Sequence, residues 1–172
     1  MIAPKMEKAF NKQLNAELYS AYLYYSMAAY FESINLTGFA NWMMIQFQEE
    51  QFHASKFYRY INERGGRVLL TAIESPPTEW DSPLAVFEAT LAHEQKVTGL
   101  INGLADMAME QKDHASMSFL QWFVSEQVEE ENSVGTVLGQ LKIIRESPHV
   151  LFMLDKELSQ RIFTPPPVEG GA

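Results

Sequence analysis

Proline breaks this sequence at positions 4, 76, 77, 83, 148 and 165 to 167, and the adjacent Gly65 and Gly66 fall between two of those breaks. Four long stretches nearly free of both residues remain, the pattern of long helices joined by loops. They are read at 5–33, 38–65, 83–111 and 114–143. Gly65 and Gly66 offer the left-handed conformation that ends the second helix; Ser82 and Pro83 form the N-cap and first-turn pair that starts the third. A shorter apolar segment, 148–162, reads as a fifth helix, and the tail from 164 to 172 as loose chain beyond a single domain of residues 1–163.

Loop lengths then restrict topology. Few residues separate the first helix from the second or the third from the fourth, so each pair is an antiparallel hairpin. The segment 66–82, GRVLLTAIESPPTEWDS, can reach roughly 50 Å at about 3.3 Å per residue. A helix of this size spans only about 42 Å at about 1.5 Å per residue. The connection therefore runs the length of the bundle and leaves the second and third helices parallel. The fold class is all-α: a four-helix bundle with one long crossover and a short fifth helix.

Alternating spacings of three and four trace the inward seam of each helix. The first gives Phe10, Leu14, Glu17, Ala21, Tyr24, Ala28 and Phe31; the second gives Phe39, Met43, Gln46, Glu50, His53, Phe57 and Tyr60. The third gives Leu84, Phe87, Leu91, Glu94, Thr98, Ile101 and Ala105, and the fourth Leu120, Phe123, Gln127, Glu130, Val134, Val137 and Leu141. Each seam is mostly apolar with a carboxylate near its middle. Glu17, Glu50, Glu94 and Glu130 all lie within roughly 5 Å of one level along the bundle. Four carboxylates in a dry core repel one another and cost several kcal/mol per ion unless protonated or compensated. No Lys or Arg lies on the seams at that level, so the compensating charge comes from outside: divalent cations. His53, three residues after Glu50 and on the same face, adds an imidazole to the oxygen donors. Mixed imidazole and carboxylate ligation suits iron, manganese or zinc, and a bridge between two redox ions suits oxygen chemistry.

Composition narrows the partners. With 13 basic and 22 acidic residues the formal charge is -9, which disfavours nucleic acid and anionic membranes and favours cations. The absence of cysteine excludes disulfides, thiolate metal sites and cysteine nucleophiles and permits cytoplasmic residence. The start of the chain lacks a signal-peptide core, and the longest nearly apolar run, Leu18 to Phe31, is too short for a membrane span. Tyr24, about one turn from the acidic level, reads equally as a hydrogen-bond or electron donor and as a core filler. Glu49, Glu126 and Glu129 flank the inward stripe, either as solvated acids or, with Glu130, as a further ion site. His93, His114 and His149 have no carboxylate partner on a shared inward face and read as surface or capping residues.

Glu17, the Glu50-x-x-His53 motif, Glu94 and Gln127-x-x-Glu130 within SEQVEEE resemble the bacterial non-haem ferritins over essentially the whole chain, as does LDKEL at 154 to 158. The resemblance implies that Glu17, Glu50 and His53 bind one iron, that Glu50, Glu94 and Glu130 bind a second, and that Gln127 lies close to the pair. Glu49, Glu126, Glu129 and Glu130 match the family's third iron site, and Tyr24 its tyrosine near the centre. Gln127-x-x-Glu130 stands where bacterioferritin has a second Glu-x-x-His, and Phe52 where bacterioferritin presents a haem-ligating methionine, so no haem is expected. The activity implied is ferroxidase: Fe(II) is oxidised by O2 or peroxide and stored as Fe(III) mineral within a closed homo-oligomeric shell of 24 chains. The alternatives are a non-storing di-iron oxygenase or peroxidase, or a structural shell subunit with weak ferroxidase activity.

Overall fold

The structure is a computed structural model that describes residues 1–144 and 147–165. Five helices follow in order: α1 Pro4–Ser33, α2 Thr37–Glu63, α3 Pro83–Glu110, α4 His114–Ile144 and α5 Pro148–Leu158. The fifth is shorter than the 148–162 expected. Backbone amides of Ser159, Gln160 and Arg161 close its last turn, Ser159 Oγ also donates to Lys156 O and Asn41 Nδ2 to Leu158 O, and the chain turns away there. Residues 166–172, most of the expected loose tail, lie outside the described residues.

The helix ends follow local chemistry. Gly65 is left-handed, with Gly65 N bonded to Asn62 O and Gly66 N to Ile61 O. This pairing closes the last turn by satisfying otherwise orphaned carbonyls. The same motif recurs after α1 at Asn35 and after α3 at Lys112, both non-glycine residues with positive φ that sequence patterning did not mark. Ser82 Oγ caps α3 through Ala85 N, as expected, and Asp113 Oδ1 caps α4 through Ser116 N. No side chain of its own caps α2; Asp155 Oδ1 on α5 accepts instead from Gly38 N and Phe39 N at 2.8 and 3.0 Å. The approach is so close that a Cβ on Gly38 would lie 1.6 Å from the Asp155 carbonyl oxygen.

The crossover lies along α1 from end to end. Asn11 binds the backbone of Arg67 and Leu69, Asn15 that of Ala72, and Ser26 that of Pro77, while Trp80 packs edge-on against Tyr30. The chain thus begins α3 beside the C-terminal end of α1, so α3 runs parallel to α2. Two apolar clusters fill the bundle. One gathers Phe31, Phe39, Met43, Phe87, Leu138 and Leu154; the other gathers Phe10, Leu14, Phe57, Ile101, Leu120 and Phe123. The seams match this core except that Tyr60 on α2 and Leu84, Leu91 and Thr98 on α3 are half-buried, with Ile61, Thr90 and Val97 buried one position from Tyr60, Leu91 and Thr98. A straight helix drifts from a strict seven-residue repeat, which moves the inward stripe by one position.

Candidate metal centre

Between the two apolar clusters lies a polar layer supplied by all four long helices. Glu17 on α1, Glu50 and His53 on α2, Glu94 on α3, and Gln127 and Glu130 on α4 are each at most 5% exposed. Each reaches the interior because it occupies the inward stripe of an otherwise apolar helix face. Ligand atoms of Glu17, Glu50 and His53 lie within 4.8 Å of one another, and so do those of His53, Glu126 and Glu130. His53 joins the two groups with its two ring nitrogens, Nδ1 being 3.3 Å from Glu50 and Nε2 3.8 Å from Glu126.

The remaining contacts aim these carboxylates. Gln13 Nε2 donates to Glu17 Oε1 at 2.9 Å, whereas Glu17 Oε2 is buried with no hydrogen-bond partner among the described residues. Gln46 Nε2 holds Glu130 Oε2 at 2.8 Å. Glu94 accepts the Tyr24 hydroxyl on one oxygen and Gln127 Nε2 on the other, the latter at 3.2 Å; Gln127 also reaches Thr98 Oγ1. Tyr24 is fully buried, and its hydroxyl is spent on Glu94.

Crowding away from water favours the protonated form of these acids. Burial, then the neighbouring Glu130, raises the Glu94 pKa to about 8, and burial raises those of Glu50 and Glu130. Burial would lower the pKa of His53, but the acceptors Glu126 and Glu50 outweigh it and the net shift is upward. For Tyr24, burial and then Glu94 push the hydroxyl well above its ordinary value. These carboxyls and the imidazole share protons that a bound cation would replace.

Of the flanking acids, Glu126 joins His53 and Glu130, whereas Glu129 is exposed and enters neither group. Glu49 is half-buried and pairs with Arg161. Burial raises its pKa to about 7, with Arg161 opposing. His114 and His149 are exposed, but His93 differs from its expected surface role. It is half-buried, 2.8 Å from Ser20 Oγ and edge-on to Tyr24, and burial, then Lys96, lowers its pKa to about 4. Gln13 and Gln46 were also missed as site residues. Gln13 lies four positions before Glu17, and that spacing was the available signal; Gln46 lies on the α2 seam but reaches Glu130 on α4, a contact that spacing along α2 does not announce.

Fold and layer together define a four-helix bundle whose buried carboxylate and imidazole groups are compatible with a dinuclear metal site. The profile of the ferritin-like domain matches residues 7–144. A bacterial non-haem ferritin of Staphylococcus saprophyticus is 44% identical over 95% of this chain and 98% of its own length. One from Staphylococcus aureus is 39% identical over the same shares. Among solved structures, an engineered closed form of Archaeoglobus fulgidus ferritin superimposes with a TM-score of 0.94 at 56% identity, covering 95% of this chain and all of that one. The open-pore ferritin of the same archaeon gives 0.93 at 56% identity, over 94% of this chain and all of that one. This chain belongs to the ferritin family, with the bacterial non-haem ferritins among its relatives.

Proposed function

We propose that this protein oxidises Fe(II) at the buried layer and stores the product as Fe(III), residues 1–163 acting as one unit. The observation that carries this reading is the partnerless Glu17 Oε2, which lies in a buried layer where Glu17, Glu50 and His53 approach within 4.8 Å. A buried carboxylate oxygen with no donor is costly unless a cation takes it.

In this reading Glu17, Glu50 and His53 hold one Fe(II), and Glu50, Glu94 and Glu130 hold the second, with Glu50 between them. Gln127 and Tyr24 orient Glu94 through their hydrogen bonds. Gln46 does the same for Glu130. Each Fe(II) that becomes Fe(III) gives one electron to O2 or peroxide, and the acid layer favours the product because the higher charge gains more from the same anions. Glu126 and Glu130, with Glu49 and Glu129 at its edge, form the third iron position. The assembly proposed is the 24-chain shell, and the compartment is the cytoplasm; among the described residues no helix is long and apolar enough to cross a membrane.

The test is to add Fe(II) to metal-free protein in air, follow oxidation optically, and size the product by chromatography and electron microscopy. Rapid oxidation with many irons retained per chain in a large shell is expected. A small oligomer that holds only about two irons per chain would instead identify a non-storing di-iron enzyme. A large shell with negligible oxidation would identify a structural subunit.

A further inference from the structure

The acid layer is approached by a cation that no four-helix seam contains. Arg161 follows α5, and its guanidinium donates to Glu49 Oε2 at 2.7 Å. Two further contacts hold it there: the guanidinium lies 4.5 Å over the Trp42 ring and donates to Trp42 O at 3.4 Å. Its backbone is fixed as well, Asn41 Nδ2 donating to Arg161 O at 3.0 Å and to Leu158 O at 3.2 Å. Both Arg161 and Glu49 are more than three-quarters buried at the side chain. A planar guanidinium stacked on an indole and bonded to a carboxylate is an ordered placement, unlike a surface ion pair in which two long side chains pay the entropy of ordering.

Glu49 lies close enough to His53, Glu126 and Glu130, the residues of the second ligand group, to interact electrostatically with each. Glu49 Oε2 is held by the guanidinium, so an ion at that group would share Glu49 with Arg161 or take that oxygen from it. Arg161 places the protein's own positive charge beside Glu49, where it opposes an incoming cation. We propose that Arg161 competes with the metal ion for Glu49, which keeps the outer position at low affinity and makes it a point of passage for iron instead of a resting place. This inference rests on the reading of the outer acids as an iron position. It also ties ion transit to the segment after α5, since whatever shifts that segment changes the hold on Glu49.

Zinc tests this without redox chemistry. Metal-free wild type, Arg161→Gln, Arg161→Lys, Glu49→Gln and the Arg161→Gln/Glu49→Gln double variant would be titrated with Zn(II) by calorimetry, with ion positions located by anomalous diffraction and assembly checked by size. Loss of a charge-assisted contact should tighten the third Zn(II) about tenfold in Arg161→Gln and leave the two inner ions unchanged. Arg161→Lys retains charge but not the planar fork and should tighten it severalfold; it carries the test if the glutamine variant fails to assemble. In the double variant the gain should vanish. Unchanged third-ion affinity in the assembled Arg161 variants overturns the competition while the outer iron position stands. If Glu49→Gln alters third-ion binding in neither background, the ion does not use Glu49, and the reading of the outer position falls together with the inference.

Discussion

At the scale of single residues, the site works because each acid is pointed by a second side chain. Glu50 and His53 belong to the group around the partnerless Glu17 oxygen, so on the proposed assignment removing either would leave an ion short of a donor. Glu50→Ala and His53→Ala should each slow the initial phase of Fe(II) oxidation by about tenfold or more, the scale of losing a positioned ligand, while chromatography still shows the full assembly. Unchanged initial rates in both variants would contradict the ligand assignment. Protonation supplies a second prediction. The Glu94 pKa in the folded state, about 8, lies above its ordinary 4.5, so the folded metal-free protein binds the extra proton and loses stability as pH rises through about 8. A metal ion that replaces the proton removes this loss. Zn(II) binding should therefore release protons at pH 7, fewer at pH 9, and raise the melting temperature more at the higher pH. Calorimetry in buffers of different ionisation enthalpy measures the first effect, and thermal scans measure the second.

At the scale of elements, the least local device is the lock between α2 and α5. The first amides of α2 have no cap from neighbouring sequence and take Asp155 from 117 residues away. A side chain at Gly38 would collide with backbone, which cannot swing aside as a flexible side chain can. Gly38→Ala should cost about 1–3 kcal/mol, the range for a forced backbone shift in a packed contact. It should also free α5 to proteolysis; a melting curve and limited digestion together would show whether the loss centres on that helix. Helix existence, seam and loop lengths were legible in the sequence because they follow from spacing within one segment: the 3.6-residue period, the glycine after α2, and the Ser82 and Pro83 start of α3. The end of α5 was not legible in the apolar pattern, which continues to Ile162, whereas Asn41 of another helix binds Leu158 O and Arg161 O where the helix stops.

At the scale of the whole molecule, α5 leaves Val150, Phe152 and Met153 exposed, and Ile143 at the end of α4 is 82% exposed. A shell that buries this patch between chains recovers roughly 25 cal/mol per Å² of apolar surface. Phe152→Glu combined with Met153→Glu should then yield smaller oligomers with unchanged helix content, read by size-exclusion chromatography and circular dichroism. The four seam glutamates and His53 could be found from sequence because each helix announces its inward face separately, and four helices of matched length must align their middles. Arg161 against Glu49, His93 against Ser20 and Asp155 against Gly38 are contacts across 112, 73 and 117 residues, made by side chains that lie on no seam. The sequence by itself determined the helices, their connectivity and the acid layer, since periodicity is a local property of the chain. Only the tertiary structure decided which donor or cation each buried carboxylate meets, because that depends on how side chains from distant segments fill the space between packed helices.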